Sequence, residues 1–282
     1  MTEPFMPPVV STQWLEEHMF DDKVRIVDAS WYLPGMQRNA EAEYKAAHIP
    51  GAVRFDLDAV ANTSIDLPHV VASSQQFASD VGKLGISETH TIVIYDGMGL
   101  FSAARVWWNF RIMGAANTYV LSGGLPKWVS ESRPLAAGLT TWPHQTFNAR
   151  FSSNSVVTST DVLEALGNNS VQIVDMRPAE RFSGAVAEPR PGMRSGHMPG
   201  AINLPFSSLT EQGELISPPD LHSLFSELGL DVSKPIISTC GSGVTAPILN
   251  LALTSLGANA MTVYDGSWAE WGAREDLPIV AN

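Results

Sequence analysis

The sequence predicts an α/β protein of two tandem domains, each a mainly parallel sheet flanked by helices. Three observations carry that expectation. Strand-like and helix-like segments alternate in the same order in both halves, and each half contains a His-x-Pro-Gly-Ala turn. The length of 282 residues is enough for two domains with cores of their own. Alternating strands and helices favour parallel pairing, because a parallel return needs a long crossover.

Each half begins with a strand-like run ending in aspartate, Arg25-Ile26-Val27-Asp28 and Gln172-Ile173-Val174-Asp175. The turns follow, His48-Ile49-Pro50-Gly51-Ala52 and His197-Met198-Pro199-Gly200-Ala201, leading into short strands at 53–56 and 202–205. Helical stretches closed by glycine come next, Ser74 to Leu84 before Gly85 and Asp220 to Leu228 before Gly229. The strands Thr91 to Tyr95 and Pro235 to Thr239 run into glycine-containing turns and long helices, Ser102 to Met113 and Val244 to Leu256. A last strand and turn closes each unit, 119–124 with Trp128 and 262–267 with Trp271. The repeat spacing of about 145 residues suits ordinary domains. The domains are expected at 8–138 and 156–282. The segment 139–155, with Pro143, Asn148 and a Ser/Asn cluster, reads as a connector.

A net charge of −12 and a pI near 4.9 argue against nucleic acid or an acidic membrane surface as partner. No apolar run approaches the roughly 20 residues that span a bilayer. Met1 to Val10 has neither the basic nor the apolar region of a secretory signal, so a cytoplasmic protein is expected. A single cysteine excludes an internal disulfide and a cysteine-based metal site. The histidines lack ligand spacing, and no glycine fingerprint for a nucleotide follows a strand, so neither metal nor cofactor is expected.

That cysteine is the informative residue. Cys240 ends the strand 235–239 and opens the turn Gly241-Ser242-Gly243 before a helix. Such a turn leaves unpaired backbone N–H groups beside the positive end of a helix, a setting that attracts anions and favours the reactive thiolate. Two readings stand: a nucleophile in a cradle of amides, or a small apolar side chain closing a buried strand. In the first half the same place is taken by Asp96, in Tyr95-Asp96-Gly97-Met98-Gly99. An aspartate suits the cradle as an anion but cannot serve as a sulfur nucleophile, so that half is expected to keep the fold without the chemistry.

The repeats, their His-x-Pro-Gly-Ala turns and the single second-half cysteine resemble the tandem-domain rhodaneses. The loop Cys240-Gly241-Ser242-Gly243-Val244-Thr245 is similar to the 3-mercaptopyruvate sulfurtransferase branch, as are 264–272 and 101–108. The resemblance implies two rhodanese-like domains and a ping-pong cycle through a Cys240 persulfide. The donor would be 3-mercaptopyruvate, releasing pyruvate, and the acceptor cyanide, glutathione, thioredoxin or another thiol, with a monomer as the acting species. Arg181 and Arg190 match the carboxylate-binding arginines; they could otherwise simply pair with acids such as Glu180 and Glu188. The loop residues Gly241, Gly243, Val244 and Thr245 would line the substrate, and Arg105, Arg177 and Arg194 are weaker candidates. The resemblance also suggests proton transfer by Ser242 and His48 with an acidic residue, whose place falls at Asn39. Both halves carry the histidine though only one carries a cysteine, which points to a turn-holding role for His197 and leaves the same role open for His48.

Three alternatives compete. A thiosulfate sulfurtransferase would resemble this chain but carry basic residues directly after the cysteine. A cysteine phosphatase would need an arginine six places on, where Ala246 stands. A non-enzymatic rhodanese-like scaffold is the third.

Overall fold

A computed structural model describes residues 7–167, 171–258 and 262–281. Most of the N-terminal stretch read for a signal, Met1–Met6, lies outside the described residues, as does Asn282. The chain divides into two compact units. The first comprises Met1–Asn62, Val71–Ser152 and Gln212–Leu215; the second comprises Thr63–Val70, Ser153–Glu211 and Ile216–Asn282.

The first unit runs β1 (Val9–Val10), α1 (Thr12–His18), β2 (Val24–Asp28), α2 (Ala40–Ala46), β3 (Ala52–Arg54), α3 (Ser74–Lys83), β4 (Thr91–Tyr95), α4 (Ala103–Ile112), β5 (Thr118–Leu121) and α5 (Gly124–Ser130). The second runs β6 (Val156–Val157), α6 (Ser159–Leu166), β7 (Gln172–Asp175), α7 (Ala179–Phe182) and β8 (Ile202–Asn203). The two-stranded sheet of β9 (Thr210–Glu211) and β10 (Glu214–Leu215) follows, with Gln212–Leu215, β10 included, belonging to the first unit. The second unit then continues with α8 (Pro218–Glu227), β11 (Ile236–Thr239), α9 (Ala246–Ser255), β12 (Val263–Tyr264) and α10 (Ser267–Trp271).

Each unit holds one five-stranded sheet, in the orders β1-β5-β4-β2-β3 and β6-β12-β11-β7-β8. Every strand pair in them is parallel. The expected α/β architecture is therefore present twice. Strands β2 and β11 are buried along their whole length, Arg25, Asp28, Ser238 and Thr239 included, so they show no alternation of buried apolar and exposed polar residues. In each sheet the chain leaves the two central strands in opposite directions, β4 toward β5 and β2 toward β3, and β11 toward β12 and β7 toward β8. Sheets of this kind place their functional loops at the carboxyl ends of the two strands flanking such a switch. Asp96 and Cys240 both stand there.

Side-chain caps start five of the described helices, among them α1, α2 and α6, which the sequence pattern left unnamed. Ser11, Asn39, Ser73, Thr158 and Ser217 each accept an N–H from the first turn of the helix they precede. Asn39, where the resemblance put an acid, is thus the N-cap of α2 and receives the Ala42 N–H at 2.9 Å. In both His-x-Pro-Gly-Ala turns the glycine adopts a positive φ, 82° at Gly51 and 74° at Gly200, which a side chain would oppose. Trp128 and Trp271 both donate their indole N–H to a proline carbonyl, Pro134 and Pro278.

The segment read as a connector has its own packing as far as Ser152. Trp142 donates to the Gly51 carbonyl and lies under the Arg25 guanidinium at 4.2 Å. Phe147 is buried against Phe77 and Phe110. Asn148 is clasped by Glu88 through its backbone and its side-chain N–H. Residues 139–152 accordingly form a strap on the first unit.

Candidate active site

The first repeat shows what the strand–turn–helix loop does to an anion. Asp96 follows β4 and is 1% exposed. Its Oδ1 accepts the Met98 N–H at 2.8 Å, and its Oδ2 accepts those of Phe101, Ser102 and Ala103 at 2.7, 2.9 and 2.8 Å. The first amides of α4 are therefore capped from inside the turn by a carboxylate. The N-cap residue Ser102 spends its own hydroxyl on the Ala29 carbonyl.

Cys240 takes the same place after β11 and is a buried free cysteine. The two loops match in detail. Gly99 and Gly243 both have positive φ, 102° and 75°. The Asp96 carbonyl accepts the Leu125 N–H at 3.0 Å, and the Cys240 carbonyl accepts that of Trp268 at 2.9 Å. Helix α9 starts at Ala246, not at Val244 as expected, because Gly243 and Val244 still belong to the turn. Ser242, Val244 and Thr245 are buried in this loop with the thiol, and Thr245 makes no side-chain cap bond at the start of α9. The Cys240 N–H points back to the Ser267 hydroxyl oxygen at 3.3 Å, while that hydroxyl donates to the Tyr264 carbonyl.

Arg181 is brought to the loop. A Cβ placed on Gly241 would lie 3.2 Å from Arg181 Nη2 and 3.7 Å from Nη1. The guanidinium is held by Glu188, which accepts from Nε at 3.2 Å and from Nη2. This is the pairing that sequence alone offered as the alternative to substrate binding. Glu188 is no surface acid, however: its side chain is 3% exposed. It also accepts from Arg177 Nη1 at 2.8 Å. Arg177 is buried, forked onto the Asp175 carboxylate at the end of β7, and stacked 3.9 Å from the Trp268 ring. Arg190 is half-buried two residues beyond Glu188. Arg194 donates to the Gly272, Trp271, Arg274 and Leu277 carbonyls, and so pins the C-terminal segment. Arg105 is wholly buried in α4 of the first unit, 4.8 Å over the Trp108 ring.

The histidines sort by their partners. His48 belongs to the first unit and is 1% exposed. Its Nδ1 meets the Tyr44 carbonyl at 2.8 Å, its Nε2 meets Thr140 Oγ1 at 3.2 Å, and its ring stacks on Tyr44. His197 repeats this geometry, with Nδ1 on the Phe182 carbonyl and its ring stacked on Phe182. Both residues pair their backbone with a distant segment, Ala136 and Val280. The two turn histidines share one structural arrangement, which occupies both ring nitrogens of His48. Sequence reading passed over a third buried histidine, His69, which is 5% exposed and has φ of 62°. It lies in Thr63–Val70, the piece of the first half that belongs to the Cys240 unit. The signal available in the sequence was the stretch 55–73, longer than most connections in compact domains and containing Leu67-Pro68-His69.

The model of the rhodanese-like domain matches residues 11–131 and again 158–274. This chain belongs to the rhodanese family. Among curated relatives, the 3-mercaptopyruvate sulfurtransferase of Escherichia coli K12 is 44% identical over 271 residues, covering 96% of each chain. The thiosulfate sulfurtransferase of Gallus gallus is 40% identical, covering 93% of this chain and 92% of its own. Among solved structures, the crystal structure of SseA from Escherichia coli, described as a 3-mercaptopyruvate sulfotransferase, superposes with a TM-score of 0.86 at 40% identity. It covers 94% of this chain and 100% of that one. Within this rhodanese, Asp96 and Cys240 mark one loop with two fates: one cradle filled by its own carboxylate, the other presenting a thiol.

Proposed function

We propose that this rhodanese is a 3-mercaptopyruvate sulfurtransferase, moving sulfur from donor to acceptor through Cys240. One observation carries the reading: the loop that closes on a carboxylate in the first repeat presents a thiol in the second, with the Arg181 guanidinium beside Gly241. The Cys240 thiolate attacks the donor sulfur, forming the S–S bond of a persulfide. The donor C–S bond breaks, and its electron pair leaves as pyruvate enolate, which takes up a proton. A thiolate or cyanide then attacks the outer sulfur and restores Cys240. The loop amides whose counterparts hold the Asp96 carboxylate in the first repeat are the groups that stabilise negative charge on sulfur in this reading. Arg181 and Arg190 receive the donor carboxylate, for which a forked, permanent cation suits.

The enolate needs an acid. His48 has both ring nitrogens engaged, by Tyr44 and Thr140, so we assign it to structure; His69, buried in the Cys240 unit, is the imidazole we place in proton transfer, with the Ser242 hydroxyl. Gly241, Ser242 and Gly243 supply no cation of their own, which favours a carboxylate donor over thiosulfate. We further propose a cytoplasmic monomer using glutathione, thioredoxin or cyanide as acceptor. No described helix is long and apolar enough to cross a membrane. The test is pyruvate release from 3-mercaptopyruvate with a thiol acceptor, beside Cys240→Ser and a thiosulfate control. Donor-specific turnover abolished in the variant is expected. Turnover with thiosulfate alone would move the protein to that donor, and none with either would leave a scaffold.

A further inference from the structure

The cation beside the thiol loop is the end of a buried row of alternating charges. The Asp175 carboxylate, at the carboxyl end of β7, accepts a fork from Arg177 through Nε at 3.0 Å and Nη2 at 2.7 Å. Arg177 Nη1 passes to Glu188 Oε1, and Glu188 grips Arg181 along its Nε–Nη2 edge. Side chains of the first three members are 1%, 1% and 3% exposed, whereas that of Arg181 is 23% exposed. A guanidinium has two edges that can each hold a carboxylate. With the Nε edge taken, the Nη1–Nη2 edge remains; Nη1 makes no hydrogen bond to the described residues, and both Nη atoms lie beside Gly241.

The first repeat lacks this device. Asp28 corresponds to Asp175, but Ser30 stands where Arg177 does, and both make the same backbone bond to their aspartate. With no guanidinium fork on it, the Asp28 carboxyl is pushed up from its usual range by burial. The charge row exists only in the repeat that carries the cysteine.

We propose that Glu188 is a positioning residue for the donor, acting through the Arg181 guanidinium. Glu188 holds Arg181 by one edge so that the other faces the donor carboxylate, and the missing side chain at Gly241 leaves that edge its room. The inference rests on the reading of Arg181 as a carboxylate binder. The interaction serves ground state and transition state alike, so its loss raises KM and leaves kcat in place.

The experiment compares Glu188→Gln, Gly241→Ala, the double variant and Arg181→Gln, all in the full chain. Glu188→Gln is expected to raise KM for 3-mercaptopyruvate about ten-fold, equivalent to about 1.4 kcal/mol, with kcat within about two-fold. Sulfur transfer from a preformed Cys240 persulfide to dithiothreitol, which needs no donor carboxylate, keeps its rate. Gly241→Ala raises the same KM, and the double variant falls short of the product of the two because both act on Arg181. Should Glu188→Gln not fold, Glu188→Asp keeps the charge one methylene further away and is expected to raise KM by a smaller factor. An unchanged KM in the Glu188 variant, or equal loss of both half-reactions, overturns the proposal. An unchanged KM in Arg181→Gln overturns the carboxylate-binder reading itself.

Discussion

Ser267 stands in the second repeat where Gly124 stands in the first, and in the same left-handed conformation, with φ of 49° against 51°. Each opens the short helix after the last strand of its sheet. In the first repeat a Cβ at Gly124 would come 2.6 Å from the Asp96 carbonyl oxygen. The second repeat accepts a side chain in this costly region of φ, and the serine hydroxyl takes the Cys240 N–H.

Ser267→Ala keeps the backbone strain and removes the acceptor of a buried N–H. A loss of about 1–3 kcal/mol in urea unfolding is expected. Ser267→Gly loses the same hydrogen bond but recovers about 1 kcal/mol of left-handed strain, and should be the milder of the two. A Ser267→Ala protein as stable as the parent would show that the hydroxyl contributes nothing.

Asp96→Asn replaces one of the two carboxylate oxygens with an N–H₂ that faces donors. Four amide bonds to a charged acceptor become fewer bonds to a neutral one, and a loss of about 2–4 kcal/mol is expected. Chemical denaturation followed by tryptophan fluorescence measures it. A change under about 0.5 kcal/mol would mean that the turn holds its shape without the anion.

The strap 139–152 should loosen in acid. Glu88 has its carboxyl held down to about 2, first by the Asn148 side-chain N–H and then by its backbone N–H. A carboxyl lower in the folded than in the unfolded chain adds stability above the ordinary value of 4.5 and loses it as pH falls toward 2. Protection of the amides around Asn148, taken relative to their intrinsic exchange rate at each pH, is expected to fall through that window. In Glu88→Gln the same amides should exchange faster at neutral pH and lose this acid-dependent step; an unchanged profile would rule out the latch.

His48 and His69 should separate stability from chemistry. His48→Ala removes two hydrogen bonds and a stacked ring, so the urea midpoint falls while kcat per folded molecule holds. His69→Gln is expected to lower kcat by about 10²-fold or more, the scale of a general acid. The reverse pattern would return His48 to proton transfer.

Much of this protein was legible because the chain states its pattern twice. A β-branched run, a glycine turn and a helix recur with Asp96 and Cys240 at the same place, so one half interprets the other. Glu188 was less readable. Acids are mostly exposed, and only the convergence of Arg177 and Arg181 makes its burial tolerable. Ser267 carries no local mark of a positive φ beyond its alignment with Gly124.

The sequence by itself determined the two parallel α/β units and the place of the single thiol after the strand 235–239 of the second unit, because strand period, turn glycines and a lone cysteine are local properties. Tertiary structure alone decided that the segment carrying His69 packs in the Cys240 unit, and that Glu188 holds Arg181. Those outcomes depend on segments far apart in the chain, Thr63–Val70 in one case and β7 with the Cys240 loop in the other. Which of them meet is settled by the packing of whole sheets, and no short window of residues encodes it.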